Sequence, residues 1–245
     1  MSSRPRTNMS SPALARVVEL VVHRGTQRVL DGVSETLCQG EVVVIMGENG
    51  SGKTTLIEAF AGLIPLRSGD VIWAENGNSI VVRDSQGRRN QPPSMGLTLQ
   101  KGGVCGDETV MERISVSLSV AGIEHSDDQI MELLSLWGLE HRANDRLAHL
   151  SGGLSRRVAI LGGLAPAALS NSPLVVLLDE PSEGLDDSAK DILSSWIRSL
   201  SSRNHAILIA THDKDISSTA DRVLTIRDGS IDCLLYTSDA ADEAK

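Results

Sequence analysis

The most reactive stretch of the chain is Gly47-Glu48-Asn49-Gly50-Ser51-Gly52-Lys53-Thr54, followed by Thr55. It fits the pattern Gly-x-x-x-x-Gly-Lys-[Ser/Thr], which marks a phosphate-binding loop when a strand precedes it and a helix follows. Glycines let backbone N–H groups converge on phosphate oxygens, and a helix N-terminus adds the positive end of its dipole. Lys53 is placed to reach the β and γ phosphates, and the Thr54 hydroxyl to ligate Mg²⁺. A second acidic element matches it. The run Leu174–Glu180 (LVVLLDE) is an aliphatic strand that ends in Asp179 and Glu180. Asp179 suits the magnesium shell, and Glu180 suits a general base that polarises an attacking water.

Stepping from these residues to the elements that must hold them, the aliphatic runs Val42–Met46 and Leu174–Leu178 have the length and composition of buried strands. Strands are also expected at 16–22, 28–37, 206–210 and 223–227, the last turned by Asp228-Gly229. Helices are expected at 54–63, over much of 109–137, from 151 to 164, and at 188–200. Residues 74–95 suit an edge hairpin and loop. The β-α alternation predicts an α/β fold with a mostly parallel sheet and helices on its faces. An N-terminal β region precedes the phosphate loop, and a helix-rich stretch over about 101–165 interrupts the alternation as an inserted subdomain.

Between the two acidic and basic elements lies Leu150-Ser151-Gly152-Gly153, followed by Leu154-Ser155-Arg156-Arg157-Val158. Here the chain resembles the ATP-binding cassette (ABC) ATPases, whose fold is a P-loop NTPase core. Gln100 is similar to the family's Q-loop glutamine, with Glu108-Thr109-Val110 after it. Pro181–Asp186 resembles the D-loop, and Thr211-His212-Asp213 the switch histidine. The resemblance runs from about Val17 to Asp232. It implies an ATPase with ATP and Mg²⁺ as ligands. It also implies head-to-tail pairing with a second ABC ATPase subunit, identical or not, so that Ser151, Gly152 and Gly153 of one chain close the phosphate loop of the other. Gln100 and His212 would then sense magnesium and γ-phosphate, with Asp186 near the shared interface.

Two departures from the family pattern stand out. Leu154 replaces the usual signature glutamine, which implies tuning of activity rather than its loss. The aromatic side chain that usually stacks on adenine has no counterpart in Val22-His23-Arg24-Gly25. Arg24 matches its position best, with His23 as the alternative. The chain has only Trp 3, Tyr 1 and Phe 1, so few rings are available for base stacking, and phosphate recognition carries the binding.

Bulk properties limit the function classes. The chain has 245 residues with a net charge of -9 and a pI near 5.1. No nucleic-acid partner is expected from that balance. Its three cysteines form no CxxC pair, which fits a reducing compartment and no zinc site. No apolar run approaches the roughly 18 residues of a membrane helix. The resemblance therefore implies a subunit that powers a membrane transporter from the cytoplasmic face, docked on a separate transmembrane permease. Within transporters, Arg24–Ser34 and Gly69–Trp73 are similar to the haem-exporter subunit of cytochrome c maturation, and export of another solute or lipid stays open. The alternative is a soluble ABC ATPase such as an iron–sulfur assembly ATPase. A repair ATPase is excluded by the closeness of Lys53 and Ser151, which leaves no room for a long coiled coil.

Residues 1–13 are expected to be a disordered tail and 14–232 the ATPase domain. Residues 233–245 are a separate matter. Cys233–Glu243 (CLLYTSDAADE) resembles the in-frame translation of a transposase-type sequencing-library adapter. It is expected to be non-native, with no strand or helix of its own.

Overall fold

In the computed structural model, residues 11–75, 77–100 and 106–234 are described, 233 and 234 by their backbone alone, so most of the expected N-terminal tail and of the adapter-like stretch lies outside the described residues. Strands β1 (Ala13–Arg24), β2 (Gln27–Cys38), β4 (Ser68–Glu75) and β5 (Asn78–Asp84) form an antiparallel sheet in the order β2-β1-β4-β5. Strands β3 (Val42–Met46), β6 (Met95–Thr98), β7 (Val175–Asp179), β8 (Ala206–Ala210), β9 (Arg222–Arg227) and β10 (Ser230–Leu234) form the second sheet, in the order β10-β9-β3-β8-β7-β6. Only β10 runs antiparallel to its neighbour there. The helices are α1 (Lys53–Phe60), α2 (Val110–Val120), α3 (Asp127–Leu136), α4 (Gly152–Leu169), α5 (Asp187–Ser202) and α6 (Lys214–Ser217). This is the α/β P-loop NTPase fold, with an antiparallel β subdomain and helices inserted between β6 and β7.

The continuous aliphatic runs make sense once both faces of the second sheet are covered. Successive side chains on a strand point to opposite faces. Val42, Val44, Val176, Leu178, Ile207 and Ile209 enter one core cluster, with α2 to α5. Val43, Ile45, Val175, Leu177 and Leu208 enter another, with α1 and the antiparallel sheet. The few rings serve these cores. Trp73 is buried and donates its indole N–H to the Phe60 carbonyl at 2.9 Å. Trp137 meets Trp196 edge-on at 5.7 Å between centroids.

Several boundaries differ from the sequence expectation. The helix expected at 54–63 ends at Phe60, and Gly62 follows with φ 68. The segment 109–137 is two helices, because Gly122 turns the chain and Ser126 starts α3 with a capping box. Strand β6 was not expected at all. Its four residues include Gly96, too short and too weak a pattern to register. Strand β10 also corrects the expectation that no strand enters the region from 233. Its pairing continues to Cys233 opposite Leu224 and Leu234 opposite Val223. Ladder hydrogen bonds belong to the backbone, so a hairpin in register propagates whatever side chains it carries.

Candidate functional site

The site lies where strands of the second sheet end and helices begin. The loop from Gly47 to Gly52 joins β3 to α1, so the first N–H groups of α1 face out of the sheet edge. Gly47 is required for close approach. A Cβ there would meet the Ser51 hydroxyl at 2.6 Å and the Ile226 carbonyl at 2.8 Å. A cavity of about 860 Å³ opens beside the loop, lined by Gly47, Glu48, Asn49, Gly50 and Ser51, by the β2 start at Gln27–Val29, and by the β9–β10 turn. Ser51 Oγ is buried without a hydrogen-bond partner.

Lys53 is buried, and its Nζ donates to the Gly47 and Glu48 carbonyls at 2.8 and 3.2 Å. The same nitrogen lies 3.9 Å from Glu180 Oε1. Thr54 Oγ1 donates to Asp179 Oδ2 at 2.8 Å. Asp179 is fully buried, and its Oδ1 has no partner. Burial pushes its carboxyl above the usual carboxylate range, against the opposing pull of Thr54, the Gln100 N–H, Lys53 and Arg156. An unpartnered buried oxygen beside a threonine hydroxyl is the donor set that a small hard cation fits, with its remaining ligands from water and phosphate. Among the described residues no cluster of three or more metal-ligating side chains exists. Any cation here therefore needs those outside oxygens.

Glu180 is also buried and carries a left-handed backbone, φ 47. Its N–H donates to the Ala210 carbonyl at 2.8 Å, which ties the end of β7 to the end of β8. Its Oε2 lies 2.9 Å from His212 Nδ1. With an ionised Glu180, that nitrogen is the donor, and Nε2 of the mostly exposed ring is free for another group. Thus the structure brings Lys53, Thr54, Asp179, Glu180 and His212 together from three separate segments.

The other sequence candidates take defined places. Gln100 follows β6 and donates from Nε2 to Glu183 Oε2 at 3.1 Å. Ser151 caps α4 and accepts from the Leu154 N–H at 3.4 Å. Ser151, Gly152 and Gly153 are exposed, and a Cβ on Gly152 would meet nothing within 4 Å. Asp186 caps α5, accepting from the Ala189 N–H at 2.9 Å and from Arg157 Nη2 at 2.6 Å. Those two interactions, the backbone one larger, hold its carboxyl below the usual range. Thr55 is buried in α1.

Arg24 is not brought to the cavity. Its guanidinium pairs with Glu58 of α1, whereas Arg28, which the sequence reading passed over, lines the cavity and pairs with Asp31 at 2.7 Å. His23 is exposed on β1 and does not line the cavity either. The sequence reading also missed Arg156. Its guanidinium donates to the carbonyls of Leu99, Asp179 and Glu180. The only advance signal was a basic pair just after the small residues of the α4 N-terminus.

The family model described as "ABC transporter" matches residues 30–183. The macrolide export ATP-binding/permease protein MacB of Psychrobacter cryohalolentis is 33% identical over 210 residues, 84% of this chain and 30% of that protein. This chain thus spans less than a third of that relative's length. The lipoprotein-releasing system ATP-binding protein LolD of Granulibacter bethesdensis is 32% identical over 228 residues, 90% of this chain and 97% of that protein. Among solved structures, the dimeric ATP-binding cassette MJ0796, bound to ADP and Pi in a post-hydrolysis state, superposes with a TM-score of 0.75 at 22% identity. It covers 91% of this chain and 100% of that one. The chain belongs to the ABC transporter family.

Proposed function

We propose that this cassette hydrolyses ATP to drive a transmembrane permease, through ATP-dependent pairing with a second ATPase subunit. The observation that carries the reading is the convergence of Lys53, Thr54, Asp179, Glu180 and His212 at the sheet edge, with Ser151–Gly153 exposed on a separate helix N-terminus. A single chain leaves that second N-terminus unused by its own phosphate loop. Pairing head to tail supplies it to a partner's nucleotide, as the family resemblance implies. The dimeric neighbour bound to ADP and Pi supports the same reading.

In this mechanism the loop N–H groups and Lys53 bind the phosphate chain, with the unpartnered Ser51 hydroxyl available as a further donor. Thr54 and Asp179 would hold Mg²⁺, with Gln100 at its edge, and the ion would neutralise charge on the phosphate oxygens. Glu180 takes the proton of the water that attacks the γ-phosphorus. ADP leaves as the bond to its bridging oxygen breaks. His212 holds the Glu180 carboxylate by its Nδ1 and reaches toward the γ-phosphate with the rest of its ring. With Arg24 engaged by Glu58, base recognition is weak, and affinity rests on the phosphates.

No helix among the described residues is long and apolar enough to cross a membrane. On this reading a transmembrane permease supplies the translocation path and holds the cassette at the inner membrane face. Relatives are named for macrolide export and lipoprotein release, and another for hemin import, so the names support transport of haem or another solute and do not fix its direction. Glu180→Gln tests the core of the reading. It is expected to abolish hydrolysis and to accumulate an ATP-bound dimer visible by size exclusion. Hydrolysis at the parental rate would remove Glu180 as the base.

A further inference from the structure

The Arg156 side chain has an unusual set of partners. It sits in the second turn of α4, and its Nη2 donates to two consecutive carbonyls, Asp179 at 3.2 Å and Glu180 at 2.5 Å. Its Nη1 donates to the Leu99 carbonyl at 3.4 Å. Leu99 lies between β6 and Gln100. One guanidinium therefore joins three elements: the helix that begins at Ser151, the segment that carries Gln100, and the strand end that carries the base.

An arginine withdrawn this far from solvent ordinarily pairs with a carboxylate. The two Nη groups of this one go to backbone oxygens instead, its Nε has no partner, and the carboxylates of Glu183, Asp179 and Glu180 surround it as a field. Burial pulls its pKa below the ordinary arginine value, a cost that the chain accepts at this position. What the arrangement secures is local. Glu180 has a left-handed backbone that a side chain with a Cβ rarely adopts. Its N–H is held by Ala210 on one side, and its carbonyl by Arg156 on the other. With both peptide planes fixed, the Cα–Cβ bond has one direction, and from it the carboxylate reaches His212 and Lys53.

We infer that Arg156 is a positioning residue for ATP hydrolysis. It locks the Glu180 backbone in its left-handed conformation, and it couples the signature helix α4 mechanically to the catalytic base. The inference rests on Glu180 being the base. Arg156 contacts no part of the phosphate loop, so nucleotide binding does not depend on it.

The test compares the full-length parent with R156Q, R156K, E180Q and R156Q/E180Q by steady-state hydrolysis and thermal melting. R156Q is expected to lower kcat roughly ten- to hundredfold, the scale on which small misplacements of reacting groups act, with KM for ATP and Tm unchanged. R156K keeps the charge but reaches fewer carbonyls, and recovers part of the rate. Adding R156Q to E180Q should change the residual rate by less than about twofold, since the two residues act through one group. Parental kcat in R156Q overturns the inference. So does a loss in which kcat, KM and Tm fall together, because that is a folding role. If R156Q does not fold, R156K decides: a lowered kcat at parental KM and Tm supports positioning, and a parental kcat overturns it. Parental hydrolysis by E180Q would instead remove the base assignment itself, a failure distinct from that of Arg156.

Discussion

Asp179 places two demands on one carboxylate. For folding, it is a fully buried acid with one oxygen unpartnered and a raised pKa. Such a group costs stability wherever it stays ionised. In the proposed function, the same oxygen would be a magnesium ligand beside Thr54. Asp179→Asn keeps an acceptor for the Thr54 hydroxyl and removes the charge. It is expected to stabilise the fold by about 1 kcal/mol in urea titration. It should also erase the difference in ATP affinity between magnesium and EDTA, which in the parent should be roughly tenfold or more. Equal magnesium dependence in both proteins would remove Asp179 from the metal shell. Residues of this kind were legible in the sequence because their chemistry is local: a Gly-rich loop before Lys53-Thr54, and an acid pair closing an aliphatic run. Arg156 was not, since its partners Leu99 and Asp179 are remote in sequence and are backbone atoms, which leave no trace in side-chain type.

Helix α4 packs on β6 so closely that backbone meets backbone. A Cβ on Gly163 would collide with the Thr98 hydroxyl and come within 3.1 Å of the Leu97 carbonyl, and a Cβ on Gly96 would collide with the Gly163 carbonyl. This contact sets how far α4, and with it Ser151 and Arg156, stands from the strand that leads to Gln100. Helix propensity and packing oppose each other here. Gly163→Ala gains up to about 1 kcal/mol of helix propensity, yet overpacking costs about 1–3 kcal/mol, and rigid backbone on the receiving side puts the cost at the upper end. Net destabilisation by urea denaturation is the expected result. Gly162→Ala is the contrast. Its Cβ would lie 3.0 Å from Ser117 Oγ, a side chain that can rotate away, so its stability should stay within about 1 kcal/mol of the parent. Strands β3, β7 and β8 were readable because each is aliphatic on both faces. Strand β6 was not, because its glycine serves a tertiary approach that no local pattern encodes.

At the scale of the whole molecule, the two cores share one sheet, and a histidine side chain adds to the backbone ladder where β7 and β8 begin. His205 is buried, and its Nδ1 accepts the Leu174 N–H at 3.0 Å. Burial first, and the nearby Arg203 second, lower its pKa to about 4. In the unfolded chain it titrates near 6.5. Between these values the unfolded state binds a proton that the native state refuses, so stability falls as pH drops through that window and is undiminished above it. The full penalty, complete only below pH 4, is about 3 kcal/mol at 1.36 kcal/mol per unit. That is a large part of the ~5–15 kcal/mol that holds a typical domain together. His205→Asn keeps an acceptor for Leu174 and removes the titration. Urea-unfolding free energies measured from pH 7 to 4.5 should therefore fall less steeply in His205→Asn than in the parent, by close to one proton. Carboxylates such as Asp179 titrate alike in both proteins and cancel in the difference. Identical slopes would mean that His205 is protonated in the native protein, and the Leu174 N–H would then need another acceptor.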